Sequence, residues 1–227
     1  MKPDYEKAAV AAMNILIGKE DDPDKKPITK TPIDALDILL HWPGVRVMTF
    51  SRMATETGKR REELVPLFGE NQDAVTFRLE HSIQGVQYVV LYNMFLTVDV
   101  VMRGIARELG HIVLGHDGQT RSAEVRLAEA KCFAHHLLSP RPIIWMLKKS
   151  NIPVTLDVLA ETTGCSSDCA EDMKTIPGVH IPKELNQKVK AQFSQEISEY
   201  IRFRSASKKK DTSPVVDFGS FMDYYDE

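Results

Sequence analysis

Tyr5, Ala9, Met13 and Leu16 recur at helical spacing, which predicts an amphipathic helix over residues 4–17. The polar, proline-containing stretch from Gly18 to Lys30 reads as a linker. Thr31-Pro32 has the form of a helix start, an N-cap followed by proline at the first helical position. Ile33, Leu36 and Leu40 give that helix an apolar face, and Pro43-Gly44 stops it near His41. Val45, Val47 and Thr49 alternate with Arg46, Met48 and Phe50, the period of a strand. Short helical pieces are expected around Arg52–Thr57 and Arg61–Leu67. Two strand-like runs follow, Ala74–Leu79 and Val86–Tyr92, both rich in β-branched and aromatic residues and parted by a polar turn at Gly85.

From Thr97 the period becomes helical. Val101, Ile105, Leu109 and Ile112 form one stripe over residues 98–114, closed by Gly115. A second helix over Ser122–Leu138 places Ala123, Leu127, Ala130, Ala134 and Leu137 on its apolar side, and Pro140 and Pro142 end it. Shorter helices are expected at 142–149, 155–163 and 167–174, and a long one at 183–204 carries Leu185, Val189, Phe193, Ile197 and Ile201. Residues 205–227 pass from Lys208-Lys209-Lys210 to an acidic, aromatic end and read as a mobile tail.

Composition narrows the class. Of 227 residues, 43% are hydrophobic and 27% charged, enough apolar matter for a buried core. A net charge of −3 creates no overall field for nucleic acid or anionic lipid. The apolar run Ala8–Ile17 is shorter than a membrane span, acids precede it, and no cleavage-like site follows. Cys132, Cys165 and Cys169 are too few for a disulfide framework, so a reducing, cytoplasmic setting is expected. Cys165 and Cys169 lack two further clear ligands and read as small buried residues. Residues 155–174 have helix-turn-helix spacing, but the would-be recognition helix carries Asp168, Glu171 and Asp172 against Lys174. Phosphates would be repelled, so a structural helical hairpin is expected there, with no direct nucleic-acid contact.

The chemistry lies in Arg107-Glu108-Leu109-Gly110-His111. A zincin helix needs two imidazoles four residues apart, facing one metal, with a glutamate after the first to act on the metal-bound water. Glu108 and His111 stand at two of those positions, and Arg107 takes the first. Gly110 inside the helix costs about 1 kcal/mol relative to alanine, which suggests close backbone packing. The run Ile105-Ala106-Arg107-Glu108-Leu109-Gly110-His111, followed by Ile112-Val113-Leu114-Gly115-His116, resembles the ImmA/IrrE family of metallo-endopeptidases. Glu129-Ala130-Lys131-Cys132-Phe133-Ala134 and Leu137-Leu138-Ser139-Pro140 extend that resemblance.

The resemblance implies an α+β zincin-like core, a small and mostly antiparallel sheet packed on the motif helices, with a helical C-terminal region. The chain is expected to divide into an N-terminal helix and linker over 1–30, a zincin-like metallopeptidase domain over 31–150, a helical C-terminal region with the helix-turn-helix-like hairpin over 151–204, and the mobile tail over 205–227. It makes His111 the second zinc ligand, Glu129 the third and Glu108 the general base. The implied activity is cleavage of a helix-turn-helix repressor of a mobile element or stress regulon, impaired here by Arg107. The alternative is an inactive pseudopeptidase that binds a regulator without cutting it.

The departure at Arg107 bears on the metal. A guanidinium offers five donors and no lone pair, and it stays charged. With His111 and Glu129 alone, the donor set falls short of the three protein ligands of catalytic zinc, so zinc is expected to be weak or absent. Pairing of Arg107 with Glu129 would supply part of the missing positive charge. His116, His135 and His136 are candidate replacement ligands. His116 stands about 140° around the helix from His111, so only an unwound helix end brings it in. His136 shares a face with Glu129 and Phe133 and is the best of the three.

Overall fold

The computed structural model describes residues 2–18, 27–60, 62–64, 73–83, 85–118, 121–150, 152–207 and 212–225. Most of the expected linker, much of the helical piece at Arg61–Leu67, and Lys208-Lys209-Lys210 lie outside them. The fold is α+β, with a small three-stranded sheet and a large helical fraction. No helix among the described residues is long and apolar enough to cross a membrane. Two compact units are present: Asp34–Arg121 forms one, and Met1–Ile33 with Ser122–Glu227 forms the other.

Helix α1 (Tyr5–Ile17) belongs to the other unit. The Asp34–Arg121 unit contains α2 (Ala35–Leu40), then β1 (Val45–Thr49), α3 (Phe50–Thr57), β2 (Ala74–Ile83), β3 (Val86–Tyr92) and α4 (Val98–Val113). The start of α2 differs from the Thr31-Pro32 expectation. Asp34 is the N-cap, its carboxylate accepting the Asp37 N–H at 2.9 Å. Thr31 is engaged elsewhere, donating its N–H (2.8 Å) and hydroxyl (3.2 Å) to Glu196. Leu40 is correspondingly exposed, and Ala35 and Leu39 are the buried residues of α2.

The three strands match their expected positions, but the sheet is mixed rather than mostly antiparallel. Its order is β1-β3-β2, with β1 parallel and β2 antiparallel to β3. The parallel pairing follows from the connection, since β1 is joined to β3 by way of α3 and β2 rather than by a hairpin. Val90 and Leu91, at the centre of β3, are fully buried. Met48, Leu64 and Leu91 form a core cluster, flanked by Phe50 and Met53. Helix α4 packs on β2 and β3.

The second unit joins α1 to α5 (Ala123–Leu138), α6 (Arg141–Lys149), α7 (Leu156–Thr163), α8 (Ser167–Lys174) and α9 (Lys183–Ala206). Within this unit α5 packs with α1, and α6 with α9. Small residues explain the pairing of α1 with α5. Ala8, Ala9 and Ala12 are fully buried on α1, and α5, which packs with it, buries Phe133 and Leu137 fully. Ala130, Ala134 and Leu137 of α5 are buried as expected, whereas Leu127 is 42% exposed and Val125, Glu129 and Phe133 are buried as well.

In place of a mobile tail, residues 212–225 are packed. Val216 N–H donates to Val154 O (2.8 Å) and Leu156 N–H to Pro214 O (3.1 Å). Phe218 and Phe221 are buried, with Phe221 at 0% exposure, its ring centroid 4.7 Å from that of His136. Arg141, also fully buried, donates to Val179 O (2.6 Å), Asp223 O (2.7 Å) and Phe221 O (3.4 Å). The polar sequence of this segment concealed that its backbone carbonyls are what Arg141 requires.

Candidate functional site

Helix α4 carries Arg107, Glu108 and His111 on its last two turns, and each side chain is already engaged within the Asp34–Arg121 unit. Arg107 reaches Asp73, its two terminal nitrogens 2.5 Å and 3.2 Å from the two carboxylate oxygens. It also lies against Glu108 Oε1, at 3.4 Å from Nε and 3.3 Å from the terminal nitrogen. The partners of Arg107 are therefore Asp73 and Glu108, where the sequence suggested Glu129. Burial alone would pull the guanidinium pKa down, but hydrogen bonding and attraction from Asp73, with Glu108 in support, hold it above its ordinary value.

Glu108 is 6% exposed. Burial is the largest influence on it and pushes its carboxyl above the usual range, against the pull of Arg107. A base with a raised pKa would suit proton abstraction, and this carboxylate lies against the Arg107 guanidinium.

Asp73 is positioned by the sheet. Its carbonyl accepts the Asn93 N–H at 2.9 Å and its carboxylate the Ala74 N–H at 2.8 Å, at the point where β2 begins beside the end of β3. Its carboxylate lies over Gly104, one turn before Arg107. A Cβ at residue 104 would stand 2.8 Å from Asp73 Cγ and 2.9 Å from Oδ2. The close approach that Gly110 suggested is thus seen at Gly104. Gly104→Ala tests this directly. In an open helix interior the change would gain about 1 kcal/mol. Here the methyl must displace Asp73 from Arg107, and we expect a net loss of about 1–3 kcal/mol in urea unfolding. A stabilised variant would show that Asp73 has no fixed place.

His111 meets His116, the two Nδ1 atoms 2.8 Å apart and the rings edge to face with centroids at 4.9 Å. The condition set by helical geometry is met, because α4 ends at Val113 and Gly115 turns the chain with φ of 67°. Asp117 then ties the following 3-10 turn to the sheet, accepting from Tyr88 Oη (2.9 Å) and pairing with Arg78 (2.9 Å).

Glu129 and His136 belong to the other unit and are described within it. Glu129 is 3% exposed and accepts the Asp4 N–H at 2.7 Å, at the start of α1. There it satisfies a helix-end donor and faces the positive end of the helix dipole. His136 is fully buried, with Nδ1 2.9 Å from Cys132 O and its ring against Phe221. Burial, reinforced by Arg141, pushes its pKa down to about 3, so it is a neutral core imidazole. Its Nε2 is buried without a hydrogen-bond partner among the described residues. Of the candidate replacement ligands, His116 is brought to His111, while His136 is committed to Cys132 and Phe221.

A divalent cation does not fit at Arg107, Glu108 and His111. Arg107 carries a charge that it cannot lose by deprotonation, and it already engages both Asp73 and Glu108. Among the described residues no group of three or more His, Cys, Asp or Glu side chains is placed to hold a metal ion. Comparison with protein-family models, curated proteins and solved structures returned no match.

Sequence reasoning missed Asp73 and Gly104. Gly104 left a signal, a helix-weakening residue three positions before Arg107 on an otherwise regular amphipathic helix. Asp73 left none, because its role depends on where β2 begins.

Proposed function

We propose that this chain is a non-cleaving relative of the ImmA/IrrE metallo-endopeptidases, with a zincin-derived core, that binds a helix-turn-helix regulator without hydrolysing it. One observation carries the reading: Arg107 is held by Asp73 and Glu108 as a fixed internal ion pair. A catalytic carboxylate must be free to take a proton from an attacking water. Glu108 instead balances a neighbouring guanidinium, so its charge serves the fold. The choice of regulator as partner rests on the motif resemblance at Ile105–His116 and Glu129–Pro140.

The test uses the full chain with helix-turn-helix regulators from the same source. We expect purified protein with well under one zinc per chain, a regulator left intact on prolonged incubation, and a saturable complex by calorimetry. Cleavage of the regulator that is abolished by a chelator and by Glu108→Gln would overturn the reading in favour of an active peptidase. Absence of any complex would remove the partner assignment.

Arg107→His provides a second measurement. Removing the guanidinium frees both carboxylates and adds an imidazole four residues before His111. We expect zinc uptake to rise at least about tenfold, with a higher melting temperature on zinc addition. Zinc uptake equal to the parent's would mean that the donors lost their arrangement elsewhere as well.

A further inference from the structure

Cys165 and Cys169 have no part in the reading above. Of the chain's three cysteines, Cys132 is sealed inside the fold, and burial pushes its thiol up to about 12. A thiol so disposed is inert. The other two are joined as a disulfide across the corner between α7 and α8, with Cα atoms 5.4 Å apart and a sequence separation of 4. Both are buried, as expected of them, and the bond between them adds to that reading.

Three features set this pair apart from a structural staple. The corner it spans is already held by other means. Gly164 closes α7 in the left-handed region, its N–H donating to Ala160 O at 2.8 Å, and Ser166 caps α8 by accepting the Cys169 N–H at 3.4 Å. A cross-link over so short a loop removes little further chain entropy. Next, Cys169 is the third residue of α8, where free amides and the helix dipole favour a thiolate. Finally, its sulfur lies 3.9 Å from Nδ1 of His135, a buried ring within reach of the sulfur's proton. Cys165 and Cys169 are only 3% and 1% exposed, so an oxidant that reaches them must be small.

We propose that Cys165 and Cys169 are a reversible thiol–disulfide pair that reacts with hydroperoxides, with Cys169 as the attacking sulfur. In the reduced chain the Cys169 thiolate attacks the peroxide. An S–O bond forms, the O–O bond breaks, and the departing alkoxide or hydroxide takes up a proton. The Cys165 thiol then attacks the Cys169 sulfur, forming the S–S bond and expelling the sulfenic oxygen as water. Two thiols and one hydroperoxide become one disulfide, one alcohol (water, for hydrogen peroxide) and one water. A small dithiol returns the pair to its reduced form.

The test is a thiol count on the full chain. Reduced protein is treated with hydrogen peroxide, denatured and alkylated, and the peptide containing both residues is weighed. We expect alkylation to fall from three sites to one, at Cys132, with the Cys165–Cys169 peptide lighter by two hydrogens. Dithiothreitol should restore all three in the folded chain. Cys165→Ser should stop at a dimedone-trappable sulfenic acid on Cys169, and Cys169→Ser should react about tenfold more slowly than Cys165→Ser. Three alkylatable thiols after peroxide would overturn the proposal. So would equal rates for the two variants, or a disulfide that dithiothreitol reduces only on unfolding. If a serine variant misfolds, the count on the unaltered chain still decides between a reactive pair and inert thiols.

Discussion

Arg107→Leu is expected to destabilise the protein by about 3 kcal/mol at neutral pH, the lower end for removing one partner of a buried ion pair because Arg107 keeps some solvent contact. The loss comes from what remains, since Asp73 and Glu108 would be left facing one another without a cation. The pH dependence follows from Glu108, whose carboxyl burial already raises against the pull of Arg107. A carboxyl with a folded pKa above its unfolded value binds more protons when folded. Stability is therefore highest below the ordinary carboxylate range and falls as pH rises through the raised value. Without Arg107 that value moves higher and the loss continues further up the pH scale. Urea unfolding at about pH 5 and pH 8 should show the larger deficit at the higher pH, and adding Glu108→Gln should recover much of it. A variant as stable as the parent at both pH values would mean that the ion pair contributes nothing.

Phe221→Ala is expected to cost about 3–5 kcal/mol, the range for truncating a fully buried aromatic side chain. Tyr224→Ala, three residues on at an exposed position, should stay within about 0.5 kcal/mol of the parent. The contrast separates a packed segment from a loose end, because a mobile tail would show no difference between them. Phe221 matters twice. Its ring covers His136, and its carbonyl, with those of Val179 and Asp223, receives the buried Arg141. Burial, the largest influence, pulls the Arg141 pKa down to about 10, so those carbonyls are what keep a charged group tolerable there. Denaturant melts of the two variants decide the point.

The periodic elements were legible in the chain and the non-periodic contacts were not. Val45–Thr49, Val86–Tyr92 and the stripe from Val101 to Leu109 follow directly from spacing, because one buried face imposes one period. The parallel pairing of β1 with β3 was not legible, since alternation says which face is buried and nothing about which neighbour runs alongside. At the site, the charge at Arg107 was visible but its partner was not. Asp73 lies 34 positions away and meets Arg107 only because Gly104 leaves the space. The unwound end after Val113 was anticipated as the condition for His116 to approach His111, and Gly115 provides it. The C-terminal segment was misjudged for a different reason. Its composition is that of a solvated end, and its order comes from backbone atoms, which carry no sequence signature.

The division of the chain has a consequence for its synthesis. Helix α1 leaves the ribosome before the Asp34–Arg121 unit, yet its packing partners α5 and α9 come only after the whole of that unit has been made. The intervening unit holds its strands and its central helix in one continuous stretch, so it can complete itself while the first helix waits. During that interval the alanine face of α1 has no permanent cover. Its small side chains suit the delay, for they offer neighbouring chains far less to adhere to than a leucine stripe would. The same alanines that lie buried in the finished protein thus also keep α1 inconspicuous while its partners are being built.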